Sequence, residues 1–154
     1  MSSKFSTRIL YGVKAVLVLA SRYGEGSLSV SQIAKKEGIS VPYLEQILNA
    51  LKKKGLVKSV RGPQGGYALN QKPSAVSLKN LLDALEEKSF LELSPKTALT
   101  VESDEVAVAD FIFWNRLKTS VQKGLSEVTL KDLIDEARRF KKTKSSAANF
   151  SFHI

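Results

Sequence analysis

A chain of 154 residues, 43% apolar and 25% charged, has enough material for one domain with a real core and an added helical element. It contains no cysteine, which excludes disulfides, thiolate-held zinc and a cysteine-ligated iron–sulfur cluster. The formal charge of +9 is lopsided: residues 1–80 hold 13 basic against 3 acidic side chains, whereas residues 81–154 hold 11 against 12. A basic half joined to a near-neutral half suggests a polyanion-binding module with a separate assembly or sensing module. No apolar run approaches the roughly 20 residues of a bilayer span, so no membrane partner is expected. No secretory signal is visible, and the expected compartment is the cytoplasm.

The first expected helix opens at Phe5-Ser6-Thr7, capped by Ser6 or Thr7, and runs to about Tyr23. Its buried stripe is Ile9, Leu10, Val13, Val16, Leu17 and Ala20. Ser29-Val30-Ser31-Gln32 then matches a capping box, in which Ser29 caps and Gln32 reaches back. The short helix it starts buries Ile33 and Ala34 and stops at Gly38. Ser40 is placed as the N-cap of the next helix, with Pro42 in the first turn, where a missing N–H costs nothing. Two helices joined by a tight turn at Gly38 read as a helix-turn-helix.

In this second helix Leu44, Ile47, Leu48 and Leu51 recur at helical spacing and face inward, and Gly55 stops it. Tyr43, Glu45, Gln46, Asn49, Lys52 and Lys53 are left for the outside. Gln46 and Asn49 can pair bidentately with adenine, Glu45 can accept from a cytosine amino group, and Tyr43 suits a phosphate or a thymine methyl. A solvated polar face is the bland alternative. The period then changes: a β-branched run, Leu56 to Val60, precedes Arg61-Gly62-Pro63-Gln64-Gly65-Gly66 and Tyr67-Ala68-Leu69, a hairpin with a basic, glycine-rich tip. An arginine at such a tip suits the negative potential of a narrow minor groove. A phosphate-binding loop is discounted, because the order GxxxxGK[ST] and a following helix are both missing.

After a linker with Pro73, Ser77 caps a helix with Leu78, Leu81, Leu82 and Leu85 on one stripe. Residues 88–102 read as a loop. The next helix, about Ser103 to Lys123, carries Val106, Ala109, Phe113, Leu117 and Val121 in one row and Val108, Phe111, Ile112 and Trp114 off it. A helix apolar most of the way round needs cover on two sides, and a second copy of the chain is the preferred cover for one of them. A last helix, capped by Thr129, turns Leu130, Leu133, Ile134 and Ala137 inward. The tail 141–154 is expected to be mobile, and the only histidine, His153, has no carboxylate cluster near it in sequence.

The run ISVPYLEQILNALKKKGLVKSVRGPQGGYAL, residues 39–69, strongly resembles the IscR/NsrR/CymR-type bacterial transcription regulators of the Rrf-two superfamily. Weaker similarity extends through the Tyr11-Gly12 helix, the leucine helix after Ser77 and the segment Thr129 to Leu133. The resemblance implies a winged helix-turn-helix homodimer with the long C-terminal helix as its seam. It also implies that Ser40, Tyr43, Glu45 and Gln46 lie at base- or backbone-reading positions and that Arg61 with Gly62 enters the minor groove. Two departures stand out. Many relatives have Lys-Gly-Arg before the tyrosine of the first helix, where this chain has Arg8-Ile9-Leu10 before Tyr11. Cluster-binding relatives place three cysteines in the loop before the dimer helix, where Lys88 to Glu102 has none. The chain looks more like relatives that answer to a partner protein or another signal.

These readings give a mainly α fold with a small β-hairpin wing: a winged helix-turn-helix domain over 1–87, a loop over 88–102, a dimerisation helix and C-terminal helix over 103–140, and a tail over 141–154. The expected function is sequence-specific DNA-binding transcription regulation, as a homodimeric repressor on palindromic double-stranded DNA, under a partner protein or small effector. The expected DNA-reading set is Ser40, Pro42, Tyr43, Glu45, Gln46, Asn49, Lys52, Arg61, Gly62, Gln64 and Gly65. The expected dimer seam is Val106, Phe113, Trp114, Leu117 and Val121. No catalytic residue, metal ligand or cofactor is expected, since nothing forms a compact set of acid, base and nucleophile. The alternative from another class is a basic module that recognises RNA or DNA by shape and charge without regulation.

Overall fold

A computed structural model of the chain describes residues 6–86 and 99–148. Among them are helices α1 (Thr7–Ser21), α2 (Val30–Glu37) and α3 (Val41–Lys53), strands β1 (Val57–Val60) and β2 (Gly66–Leu69), a 3-10 turn at Pro73–Ala75, and helices α4 (Leu78–Leu85), α5 (Glu105–Glu127) and α6 (Leu130–Ala148). Most of the expected 88–102 loop, the end of the tail and His153 lie outside the described residues.

Local chemistry sets the helix ends. The Ser6 hydroxyl accepts from Ile9 N–H at 3.3 Å and starts α1. Ser29 and Gln32 form the expected capping box, each side chain accepting from the other's backbone N–H, and Gly38 ends α2 in the left-handed region with φ 66°. Ser77 and Asn80 repeat the capping box at α4, and Thr129 and Asp132 repeat it at α6. Ser40 departs from expectation. It occupies the N-cap position of α3 with extended backbone, yet its hydroxyl makes no capping bond.

The core is one cluster. Leu44, Ile47, Leu48 and Leu51 of α3 are buried against Ala15, Val16 and Leu19 of α1, Ile33 of α2, and Leu81 and Leu85 of α4. Burying each such aliphatic side chain is worth about 1.5–3 kcal/mol relative to leaving it in water. The α1 stripe is rotated from the expected one: Leu10 is 53% exposed, while Ala15, Val18 and Leu19 are buried. Gly12 is buried too, and a Cβ there would lie 2.2 Å from Leu85 Cδ2, so α1 and α4 pack closely because this residue is glycine.

Strands β1 and β2 pair antiparallel, Val57 opposite Leu69 and Val60 opposite Gly66. Leu28, ahead of α2, adds a bridge to Tyr67, with Leu28 N–H to Tyr67 O at 2.9 Å and Tyr67 N–H to Leu28 O at 2.8 Å.

The C-terminal helices differ from expectation at their ends. Asp104 caps α5, accepting from Ala107 N–H at 2.8 Å, and the helix runs from Glu105 to Glu127 rather than from about Ser103 to Lys123. The expected mobile tail is helical to Ala148, and Ala137 is exposed rather than inward. The α6 helix belongs structurally with the winged domain. Leu130 is fully buried, Leu130 N–H donates to Val76 O at 2.9 Å, and Leu78 N–H donates to Val128 O at 2.9 Å. Two bonds from Thr129, first its backbone N–H and then its hydroxyl, hold the Asp132 carboxyl below its ordinary range. A carboxyl lowered on folding stabilises the fold above its unfolded pKa and loses that contribution as pH falls through its folded value. Asp132→Asn is therefore expected to remove a small stability increment at pH 7 and none in acid below the folded pKa, read as the difference in denaturation midpoint across pH.

Candidate nucleic-acid interface

The left-handed turn at Gly38 aims α3 across α2, with Ile39 buried as the anchor between them. Four leucine and isoleucine side chains fix the inner face of α3, so its other residues must point away. Val41, Pro42, Glu45, Gln46, Asn49, Lys52, Lys53 and Lys54 are all exposed. Because the Ser40 hydroxyl is not spent on the helix, it faces solvent as a donor and acceptor. Tyr43 is half-buried, its ring edge-on to Tyr11 at 5.9 Å between centroids, which orients its phenol from the α1 side.

The hairpin stands beside this helix. Arg61, Gly62, Pro63 and Gln64 are exposed at its tip, and Lys58 is exposed on β1. Gly62 has φ 118°, and its carbonyl accepts from Gly65 N–H at 2.9 Å, closing the turn. The Ser27 hydroxyl donates to Gln64 O at 2.7 Å, tying the tip back to the segment before α2. The ideal Cβ of a residue at 66 would lie 2.0 Å from Leu28 O. Gly66→Ala is thus expected to break the Leu28–Tyr67 bridge. The expected readings are a destabilisation of about 1–3 kcal/mol by chemical denaturation and faster amide exchange at Leu28 and Tyr67.

One expected reader is also tied to the hairpin. Tyr67 Oη donates to Asn49 Oδ1 at 3.3 Å, linking α3 to β2 across the foot of the hairpin. The link holds the Asn49 side chain toward the hairpin and leaves its two amide donors and the second lone pair of Oδ1 free. Ser40 lies at the N-cap, and Pro42, Glu45, Gln46 and Lys52 lie on the exposed part of α3 with Tyr43 at its edge beside α1, while Arg61, Gly62, Gln64 and Gly65 are in the hairpin. Sequence reasoning missed Ser27, Leu28 and Tyr67 as supports of the hairpin. They carried no local signal, because their partners are distant in sequence.

The expected seam residues lie on α5, which has no buried residue along its 23-residue length. Val106 and Phe113 are 76% and 58% exposed and Leu117 is exposed, while Trp114 and Val121 are half-buried. Trp114 donates its indole N–H to Asp110 at 3.1 Å within the same helix. Phe113 packs edge-on against Trp114 at 5.1 Å between centroids. One side of α5 lies on α4, and the exposed apolar residues lie on the rest.

A family profile, Rrf2, described as an iron-dependent transcriptional regulator, matches residues 5–136. The chain belongs to the Rrf2 family. It is 37% identical to the HTH-type transcriptional regulator CymR of Bacillus subtilis over 130 residues, 84% of this chain and 88% of that one. It is 30% identical to the regulator IscR of Cereibacter sphaeroides over 139 residues, 88% of this chain and 90% of that one. The solved structure of B. subtilis CymR, titled the global cysteine regulator of that organism, superposes with a TM-score of 0.71 at 34% identity, covering 86% of this chain and 97% of that one. That of T. potens IscR gives 0.68 at 36% identity, covering 89% and 90%. The fold of this Rrf2 protein is therefore the winged helix-turn-helix with a long helix. The protein is a transcriptional regulator and not an enzyme.

The iron named in the family's description does not fit this member's side chains as a thiolate-held cluster. The chain has no cysteine and a single histidine, and no group of three or more His, Cys, Asp or Glu among the described residues could hold a metal ion. Among the same residues no helix is long and apolar enough to cross a membrane.

Proposed function

We propose that this Rrf2 regulator is a cytoplasmic homodimer that binds palindromic double-stranded DNA in a sequence-specific manner and represses the genes beside it without an iron–sulfur cluster. The observation that carries the reading is the pairing of the exposed face of α3 with the Arg61 hairpin on a rigid core. In helix-turn-helix proteins the N-terminal residues of the second helix contact base edges. Here those residues are Ser40, Pro42, Tyr43, Glu45 and Gln46. Gln46 offers a donor–acceptor pair to adenine, and Glu45 an acceptor to the cytosine amino group. Lys52 and the backbone N–H of Gly62 suit phosphates, Gly65 holds the turn that presents that N–H, and Gln64 flanks Arg61 in the minor groove.

Two such surfaces are needed for a palindrome, and α5 supplies the means to join them. Val106, Phe113, Trp114, Leu117 and Val121 make an apolar row that a second copy can cover by an isologous contact. Repression needs only occupancy of an operator, so no further surface is invoked. Control then falls to a partner protein or a small effector.

Selection of bound fragments from the source genome tests the reading. Recovered fragments sharing an inverted repeat, with half-sites about one helical turn apart, are expected. Fragments with no common sequence, or better competition by structured RNA at equal salt, support the shape-and-charge alternative instead.

A further inference from the structure

We propose that a cavity between α1, the 3-10 turn and α6 binds a small organic acid, one carboxylate on an apolar body, and so supplies the effector site of this regulator. The inference rests on the reading above, in which α5 and α6 join two DNA-reading domains.

The cavity has a volume of about 380 Å³ and is walled by residues 20–25, 72–74 and 131–138. That volume falls within the roughly 300–1,000 Å³ typical of small-molecule sites. Ala20, Pro73 and Ile134 give it an apolar floor, and Tyr23 and Ser74 add hydroxyls at the rim.

The charges in its wall are not balanced. Both acids are already engaged: Glu25 is ion-paired with Arg22, and Asp135 with Lys131. Two cations, Lys72 and Arg138, have no carboxylate partner among the described residues. Arg138 is nonetheless oriented. Its Nη2 approaches the Ser21 carbonyl at 3.5 Å, at the C-terminal end of α1, leaving the other N–H groups of its planar fork available. A fork beside an ammonium over an apolar floor matches a carboxylate with a hydrocarbon or aryl body. A cationic ligand meets two uncompensated positive charges there.

The position gives binding a consequence. The cavity lies where α6, which directly follows α5, rests on the winged domain. Its walls come from both sides of that contact. A carboxylate held by Lys72 on one side and Arg138 on the other clamps α6 to the domain that carries α3. The seating of α6 in turn sets how the α5 seam holds the two reading surfaces apart.

The test uses benzoate as the probe, with benzylamine and inorganic phosphate as comparisons, on the isotope-labelled full chain. Backbone amide shifts on benzoate addition are expected to saturate and to cluster at 20–25, 72–74 and 131–138. The double variant Lys72→Gln/Arg138→Gln is expected to bind at least about tenfold more weakly, and benzylamine to leave those amides unmoved. Equal titration of the double variant overturns the site. So does a response to phosphate spread over all surface lysines with no saturation by benzoate. The same two proteins are also assayed on a selected duplex without ligand, where both are expected to bind alike. Loss of duplex selectivity by the unaltered chain removes the regulatory role while leaving the cavity's ligand class standing on the amide shifts. Absence of saturable benzoate binding with selectivity intact overturns the cavity proposal alone.

Discussion

Phe113→Glu is expected to sediment as a folded monomer and to lose about a hundredfold or more in affinity for a palindromic duplex, because two linked half-site contacts become one. Phe113 is the better site for this substitution than Trp114. It is 58% exposed on its own chain, so a carboxylate there meets water in the monomer and is buried only in the proposed seam. Trp114 is half-buried and bonded to Asp110, so its loss also disturbs α5 itself. Phe140→Glu provides the control. Phe140 is 61% exposed on α6 and lies outside the seam, and its substitution is expected to leave both sedimentation and affinity unaltered. A dimer that survives Phe113→Glu removes α5 as the seam.

Arg61→Ala is expected to weaken binding to the selected duplex by about 1–3 kcal/mol, roughly 10- to 100-fold, and to lower the salt dependence by about one counterion per reading domain. Since Arg61 is exposed and makes no ion pair among the described residues, its removal is expected to leave stability unchanged. That separates it from Gly66→Ala, which acts through the fold of the hairpin. Gln46→Ala is expected to act differently again, relaxing preference at one base pair in each half-site while other positions keep theirs. If Arg61→Ala binds random and selected duplexes as the unaltered chain does, the hairpin takes no part in recognition.

The part of this chain proposed to face DNA was legible because its determinants are local. The Ser29–Gln32 box, the Gly38 stop and the Leu44-Ile47-Leu48-Leu51 stripe each declare themselves within a turn or two of helix, and all three are present as read. What escaped reading depends on partners far away in sequence. Leu10 and Leu19 are equally apolar, and only the packing of α1 against α3 and α4 decides that the second is buried and the first is not. The Asn49–Tyr67 bond crosses from helix to hairpin over 18 positions, beyond the reach of any local pattern. The Lys/Ser/Ala-rich composition of Lys141 onward suggested a mobile chain end. In the structure Lys141 to Lys144 continue a helix whose first turns are fixed by Leu130 and the Thr129–Asp132 box, with the Lys144 ammonium over the Phe140 ring at 5.0 Å.

The division of charge noted in the sequence acquires a structural meaning. Lys52 and Lys53 in the last turn of α3, Lys54 at its C-cap, and Lys58 and Arg61 of the hairpin all lie on the elements proposed to meet DNA. The near-neutral part includes α5 and α6, where the apolar row proposed as a seam lies.

Sequence-selective binding by a dimer is measured directly by a competition assay. Affinity for a selected palindromic duplex and for a random duplex of equal length is determined at one fixed salt concentration. A preference of about a thousandfold or more for the palindrome, with two chains per duplex, is expected. Affinities that agree within a few-fold, falling together as salt rises, contradict it.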